Sequence, residues 1–363
     1  MQYLVFTVTT DLSYDQRMIR ICTSLGEAGY KVKLIGRRKK KSIPLTTSIY
    51  QQKRIFCFFE KGKLFYIEYN FRLFFYLLFV RCNCICAIDL DTIIPVYFAS
   101  SIRGKKKVYD AHELFCEMKE IVTRPKIYKF WKKIENFCVP KFKLGYTVNE
   151  PIRDEFNKMY GCNYDVIRNI AKKTKVNIHQ NKEKFILYQG AINEGRSFET
   201  LIPAMTSIES KLILCGDGNF MDETKALVSS HDLQAKVTFK NMLEPKELLP
   251  ITNSAYIGLT IFENKGLSNY YSLANRFFDY VHSHTPQVCV NYPVYAALNQ
   301  KYKVALLIND TEQQTISDAI TELLNNDTLW QELQDNCRMA ALDWNWENEE
   351  KILINFYNQK VFG

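Results

Sequence analysis

The chain has 363 residues, of which 47% are hydrophobic and 24% charged, a composition typical of a soluble globular protein large enough for two domains. Its charge is uneven, because residues 1–180 carry 33 Lys and Arg against 16 Asp and Glu, whereas the remainder carries 15 against 23. No nucleic-acid-binding motif accompanies the basic half, so we expect no nucleic-acid partner but an anionic acceptor or an anionic membrane surface.

The apolar segments and the cysteines indicate where in the cell the protein is located. The most apolar stretch, Leu73 to Val80, is far shorter than a bilayer span, and the first residues lack the basic start of a signal peptide. The 11 cysteines include no C-x-x-C pair, which predicts free thiols rather than a metal site. We therefore expect a cytoplasmic protein, peripheral at the inner membrane face if the apolar stretch is exposed beside basic residues.

Short apolar runs alternate with helical patterns along residues 1–170. The predicted strands are YLVFTVT, KVKLI, RIFCFF, CICAI, KKVYDAHE and LGYTVN. The predicted helices are one ending at Gly29, an apolar one over FRLFFYLLFV, and three more near Thr92, over 127–137 and from Pro151. Strands separated by helices indicate a parallel sheet with helices on both faces, so residues 1–170 are predicted to form a Rossmann-like domain.

The same alternation begins again after a polar, Lys-rich linker at 171–184. The strands predicted for a second Rossmann-like domain, 185–345, are FILYQG, KLILCGDG, KVTF, AYIGL, PQVCV and VALLI. A last helical segment, 346–363, begins WENEEK. Two such domains would place a ligand in the cleft between them, at the carboxyl ends of both sets of strands.

Glycines mark two strand ends in the second half. Gly190 ends one predicted strand and is followed by Arg196, and Gly216 and Gly218 follow the next. Such glycines allow backbone N–H groups to approach phosphate oxygens, although either turn alone is equally typical of a tight loop.

The helical pattern that follows "NYYS" contains two charged residues that could bind a nucleotide. Ser272 is predicted to cap this helix, with Arg276 and Asp279 one turn apart beside its buried face. This pair is suited to a nucleotide, because an arginine neutralises a diphosphate and a carboxylate accepts hydrogen bonds from ribose hydroxyls. The alternative is that the pair forms a surface salt bridge on an amphipathic helix.

The order of these pieces resembles the GT-B glycosyltransferases, more narrowly the retaining glycosyltransferase group 1, family 4-like. In the family's Glu-(x)7-Glu signature the second acid falls on Asp279 and the first on Tyr271, a phenol here. "VIRN" and the Trp-rich last segment also match family patterns. The resemblance implies an α/β fold of GT-B type, two Rossmann-like doubly wound domains facing across a cleft, with 346–363 crossing back to the first domain.

The resemblance also implies roles for particular residues. Those expected to bind the donor nucleotide and diphosphate are Arg196, Gly216, Gly218, Asn275, Arg276 and Asp279. Those expected near the donor sugar are Asp89, Asp91 and Tyr271. Those expected on the acceptor side are Tyr14, Asp15 and Arg17. His112 and Glu113 are the catalytic candidates, while Asp110 is interpreted as a strand-end residue that ties down its loop.

The implied activity is transfer of a sugar from a nucleotide-diphosphate-sugar to a glycan or lipid-linked acceptor in surface polysaccharide synthesis, by a metal-independent hexosyltransferase without other cofactors. Two alternatives remain open. One is a nucleotide-sugar 2-epimerase on the same fold, and the other is a non-catalytic GT-B-like binding subunit, which Tyr271 in place of an acid favours.

Overall fold

The computed structural model describes residues 1–13, 15–173 and 182–363. They form two units, one made of Met1–Asn169 with Trp346–Gly363 and the other of Ile170–Asn345. Each unit is a parallel sheet with packed helices, which confirms the predicted α/β class and the two Rossmann-like domains. Tyr14 and the greater part of the predicted linker, 174–181, lie outside the described residues.

The first unit contains a seven-stranded parallel sheet with the strand order β3-β2-β1-β4-β5-β6-β7. Its strands are β1 Tyr3–Thr7, β2 Lys31–Arg38, β3 Gln51–Phe56, β4 Cys84–Ile88, β5 Lys106–Ala111, β6 Leu144–Thr147 and β7 Asp165–Val166. Every residue of β4 is buried, as expected of a central strand covered on both faces. The order of the strands reverses between β1 and β4, which is where such sheets bind ligands.

In the described residues of this unit, six α-helices connect these strands. They are α1 Gln16–Glu27, α2 Gly62–Phe79, α3 Ile93–Ile102, α4 Lys119–Val122, α5 Pro125–Cys138 and α6 Glu150–Tyr160. Helix α1 begins where the Asp15 side chain accepts a hydrogen bond from the Met18 N–H, and Gly29 with φ of 91° follows its end. Helix α2 starts nine residues before the apolar segment that predicted it, because the preceding turns also pack an apolar side onto the core.

The second unit contains a six-stranded parallel sheet with the order β10-β9-β8-β11-β12-β13. Its strands are β8 Glu183–Gln189, β9 Lys211–Cys215, β10 Val237–Phe239, β11 Ala255–Thr260, β12 Gln287–Val290 and β13 Ala305–Ile308. Its helices are α7 Phe198–Ala204, α8 Met221–Ser230, α9 Pro245–Ser254, α10 Leu267–Tyr270, α11 Asn275–His282, α12 Pro293–Lys301, α13 Gln313–Asn325 and α14 Asp327–Asp343.

The end of the chain packs into the first unit. Helix α15, Trp346–Asn355, continues into a π-helical turn, Phe356–Val361. The Trp346 indole N–H donates to the Ser24 hydroxyl of α1 at 2.8 Å, and the Arg168 N–H donates to Glu349 at 2.8 Å. Trp346 and Tyr357 are fully buried in the same core as α1.

Two further features concern the whole chain. All eleven cysteines are free thiols with buried side chains. Among the helices in the described ranges, none has the length and apolarity needed to cross a membrane.

Candidate functional site

His112 lies at the carboxyl end of the first sheet, between two carboxylates. It follows β5, which pairs with β4 so that Asp110 lies opposite Ile88, and Asp89 therefore emerges at the same edge. The His112 Nδ1 is 3.2 Å from Asp89 Oδ2, and its backbone N–H donates to Asp89 Oδ1 at 3.0 Å. The Nε2 is 3.2 Å from Asp110 Oδ2 without the alignment of a hydrogen bond. The ring is thus fixed with about a quarter of its surface exposed (24%).

Behind His112, Asp110 is bound by Arg17. The Arg17 Nη2 lies 2.9 Å from Asp110 Oδ1 and its Nε donates to Oδ2 at 3.3 Å, while Nη1 donates to the Ile167 carbonyl at 3.1 Å. Both side chains are buried, with Arg17 only 3% exposed. Arg17, which was expected on the acceptor side, is instead buried, and its guanidinium donates to Asp110 and to the Ile167 carbonyl inside the unit. Asp110 likewise does more than tie down a loop, since it contacts the histidine ring.

The charges around His112 keep it protonated. Burial alone would lower the pKa of His112, but the carboxylates of Asp89 and Asp110 outweigh burial and raise its pKa to about 10. Burial would raise the pKa of Asp110, yet Arg17 and His112 hold it below its ordinary value. The site at neutral pH is therefore an imidazolium between two carboxylates, the inner one neutralised by an arginine.

Asp89 and Asp91, predicted near the donor sugar, lie just beyond β4. Asp89 has φ of 53°, a left-handed conformation that costs energy for a residue with a side chain and is held here by its contacts with His112. The Thr9 hydroxyl donates to the Asp91 carboxylate. Burial and the nearby charge of Asp89 raise the pKa of Asp91 to about 7.

Three more residues of the first unit were predicted to belong to the site, namely Asp15, Glu113 and Tyr14. The Asp15 side chain caps α1 and accepts a hydrogen bond from the Thr10 hydroxyl at 2.9 Å. Glu113 is partly buried beside His112. Tyr14 lies outside the described residues.

In the second unit, the loops after β8 and β9 pack so closely that only glycine fits. A Cβ on Gly216, whose φ is 155°, would lie 1.8 Å from the Gly190 carbonyl oxygen. A Cβ on Gly218 would lie 2.2 Å from the Ile192 carbonyl oxygen. The two turns are joined by a hydrogen bond from the Gly190 N–H to the Cys215 carbonyl at 2.9 Å. The glycines therefore shape a strand-end surface made of bare backbone.

Arg276 is buried at the start of α11 with donors left over. Its Nη1 donates to the Gln189 carbonyl at 3.2 Å, and its guanidinium stands 4.5 Å from the centroid of the Tyr188 ring. Its Nε and Nη2 are buried without an aligned hydrogen-bond partner. Buried donors of a cation are rarely left unsatisfied, so these two N–H groups suit an anionic ligand.

Arg196 and Arg276 contact the same aromatic ring. Both guanidinium groups are near the Phe262 ring, at 5.4 Å from its centroid for Arg196 and 5.8 Å for Arg276. The strand ends after β8 and β11 thus bring together two cations that are 80 positions apart in the sequence.

Asp279 is positioned by Gln189, the last residue of β8. The Gln189 side-chain amide donates to Asp279 Oδ2 at 2.9 Å, and its oxygen accepts from the Thr252 hydroxyl at 2.8 Å. Gln189 is 3% exposed and was missed by sequence reasoning, although its place directly before Gly190 was the available signal.

The start of α11 differs from the prediction. The helix begins at Asn275 with Ala274 as its cap residue, so Ser272 does not cap it. The Ala274 N–H instead donates to the Tyr295 hydroxyl at 2.8 Å, which fixes the entry of the chain. Asn275 is exposed at the first turn, whereas Tyr271 is partly buried after α10.

In the part of the chain that the structure describes, no three or more His, Cys, Asp or Glu side chains are grouped so as to hold a metal ion.

Two parallel-sheet Rossmann-like units in one chain are the architecture of the GT-B fold, to which glycosyltransferases belong. Residues 169–344 match the family model described as glycosyl transferases group 1. The match covers almost all of the second unit and confirms the predicted resemblance to the group 1 glycosyltransferases. No curated protein matches the chain in sequence.

Solved structures of this fold superpose on nearly the whole chain. Sucrose-phosphate synthase from Thermosynechococcus elongatus is similar with a TM-score of 0.79 and 14% identity, over 99% of both chains. HepE of Anabaena, solved with UDP and glucose, has a TM-score of 0.76 and 12% identity, over 99% of this chain and 100% of its own. WaaG, a glycosyltransferase involved in lipopolysaccharide biosynthesis, has a TM-score of 0.69 and 12% identity, over 97% and 98%.

Proposed function

We propose that this protein is a retaining hexosyltransferase that moves a sugar from a nucleotide-diphosphate-sugar to a glycan or lipid-linked acceptor in surface polysaccharide synthesis. The observation that carries the proposal is Arg276, a buried cation with two donors that lack aligned partners, beside the glycine turns of a group 1 glycosyltransferase domain. A diphosphate supplies the oxygen acceptors and the negative charge that this arrangement calls for.

Each group of the second unit has a part in this scheme. Arg196 and Arg276 would hold the diphosphate, together with the backbone at Gly216 and Gly218. Asp279, oriented by Gln189, would accept hydrogen bonds from the ribose hydroxyls. Because HepE is solved with UDP and with UDP-glucose, uridine nucleotides are the first donors to test.

The reaction breaks the bond between the anomeric carbon and the diphosphate oxygen, whose electrons remain on the departing diphosphate. The two arginines would stabilise this growing charge without a metal ion. The acceptor hydroxyl oxygen bonds to the anomeric carbon, and its proton would pass to the departing phosphate, as the family resemblance implies.

In the first unit, His112 would orient the sugar. The exposed part of its ring would contact the sugar, while Asp89 and Asp110 keep the ring charged and fixed. Arg17 is a positioning residue, because it acts through Asp110. We propose that this chemistry takes place in the cytoplasm, next to the membrane that carries a lipid-linked acceptor.

The experiment begins with a thermal-shift panel of nucleoside diphosphates and nucleotide-sugars, which identifies the base that binds. The best donor is then incubated with lipid-linked and soluble acceptors, and the products are examined by mass spectrometry. A glycosylated acceptor supports the proposal. An epimerised donor formed without acceptor, or tight nucleotide binding without turnover of any donor, would replace it by one of the two alternatives.

A further inference from the structure

The outer side of α2 is apolar where a surface helix normally carries polar side chains. Its inner side packs Phe65, Tyr69, Leu73 and Leu77 into the core. Its outer side presents a second row of large side chains, between 46% and 85% exposed, namely Leu64, Ile67, Phe71, Phe75 and Phe79. Contiguous exposed apolar surface of this kind marks an interaction site on a folded protein.

The neighbouring helices extend this surface. Helix α3 packs against α2 and exposes Phe98 and Ile102, and α5 exposes Phe130 and Phe137. The rings of Phe98 and Phe137 stack with centroids 6.4 Å apart, which joins the surfaces of α3 and α5. We call the outer row of α2 together with these four side chains the aromatic face.

The fully exposed charges on the helices that carry the aromatic face are of one sign, and the partly exposed Glu68 of α2 is paired with Arg72 at 2.8 Å. The exposed charged positions of α2, α3 and α5, three helices that are described in full, are all lysines, namely Lys63, Lys126, Lys129 and Lys133, and none is Asp or Glu. Two more lysines lie against the rings at its border, Lys141 at 3.7 Å from the Phe137 centroid and Lys107 at 5.6 Å from that of Tyr97. Aromatic and basic side chains are thus interleaved on one layer of helices.

We propose that the aromatic face docks the protein on an anionic lipid bilayer. Phenylalanine side chains on a helix lying in the plane of the membrane enter the boundary between headgroups and acyl chains, while lysines attract anionic headgroups. None of these helices is long and apolar enough to span, so the contact is peripheral.

A second copy of the chain fits the face less well. A symmetric dimer would bring the same lysines against one another, and like charges facing each other across an interface are costly. A bilayer instead supplies the complementary charge and an apolar layer at the same depth. The docking surface extends the proposed function, since it would bring the enzyme to a lipid-linked acceptor. Binding to vesicles can nevertheless be measured without any sugar transfer.

The test is co-sedimentation with vesicles of phosphatidylcholine alone and of equal parts phosphatidylcholine and phosphatidylglycerol. We expect binding to the anionic vesicles, weaker binding to the neutral ones, and loss at high salt. The double variant Phe71→Asp/Phe75→Asp should weaken binding by at least about tenfold, because two charges would enter the apolar boundary. Lys129→Ser/Lys133→Ser should also weaken it.

The matched control is Met339→Asp/Leu342→Asp on α14 of the second unit, where both side chains are exposed, at 58% and 63%. It makes the same change of charge and should leave vesicle binding within about twofold of the wild type. Thermal unfolding and UDP binding, measured for every variant, separate this proposal from the donor site and from loss of the fold.

Three results would overturn the proposal. The first is no binding of the wild-type protein to anionic vesicles. The second is equal binding of the α2 variant and the α14 control. The third is a dimer in light scattering that dissociates in Phe71→Asp/Phe75→Asp while no vesicle binding is found, which would make the occupant a second copy of the chain.

Discussion

Arg17 and Asp110 form a buried ion pair directly behind His112, with Nη2 and Oδ1 2.9 Å apart. Neither side chain reaches solvent to any extent. Because an arginine does not lose its proton in a protein, it keeps Asp110 ionised, and Asp110 with Asp89 keeps His112 protonated. The geometry of the first unit's site therefore depends on a residue that does not contact a substrate.

Replacing Asp110 with Asn should destabilise the first unit by about 3–5 kcal/mol, because the Arg17 charge would stay buried without its counter-ion. The double variant Arg17→Met/Asp110→Asn should recover a large part of this loss. Urea unfolding provides the measurement. Glu332→Gln, which breaks an exposed pair with Lys303, is the control and should cost no more than about 1 kcal/mol. A loss for Asp110→Asn as small as the control's would contradict the account.

The protonation of His112 predicts a pH dependence of stability. The pKa is about 10 in the folded protein against 6.5 for an unperturbed histidine, so the folded state binds the proton more tightly. The stabilising contribution is complete below 6.5 and is lost as the pH rises towards 10. The difference in unfolding free energy between the wild type and His112→Gln should shrink across that window. A constant difference would show that the ring is not charged.

Arg276→Ala should weaken binding of the nucleoside diphosphate by about tenfold to a hundredfold, since a hydrogen bond to a charged group contributes roughly 1.5–3 kcal/mol. Titration calorimetry with the diphosphate and with the free nucleoside separates the phosphate contribution from that of the base. Arg338→Ala removes an exposed arginine from α14 and should leave binding unchanged. An equal loss of affinity for the nucleoside would mean that Arg276 acts on the fold rather than on the diphosphate.

Gly216→Ala tests the close packing of the two strand-end turns. The added Cβ would meet the Gly190 carbonyl at 1.8 Å, so the backbone must shift and diphosphate binding should fall with stability. Gly104→Ala is the comparison, because φ there is also positive, at 59°, but no atom lies within 4 Å of the added Cβ. It should cost only the left-handed strain of about 1–2 kcal/mol. Comparable melting shifts for the two variants would argue against the tight contact.

The sequence predicted those parts of the fold that repeat along the chain. Apolar runs such as "CICAI" and "FILYQG" mark buried strands, and the alternation with helices leaves few topologies open. His112, which follows the predicted strand KKVYDA, could therefore be placed at the carboxyl edge of its sheet.

The structural features that the sequence did not predict depend on contacts between residues far apart in the chain. Nothing near Arg17 in the sequence shows that its partner is Asp110, and nothing near Gln189 shows that its amide meets Asp279. The cap of α11 was misplaced because a distant tyrosine, Tyr295, accepts the hydrogen bond that fixes the chain there. The exposure of the outer row of α2 could not be predicted from the sequence, because a helix that is apolar all round is usually buried.

In the proposed function, the second unit binds a nucleotide-diphosphate-sugar and His112 orients its sugar. The most direct measurement is release of nucleoside diphosphate from the donor found in the thermal-shift panel, with acceptor present, for the wild type, His112→Ala and Arg276→Ala. We predict turnover by the wild type alone, with diphosphate affinity retained in His112→Ala and lost in Arg276→Ala. Full turnover by His112→Ala, or unchanged diphosphate affinity in Arg276→Ala, would contradict it.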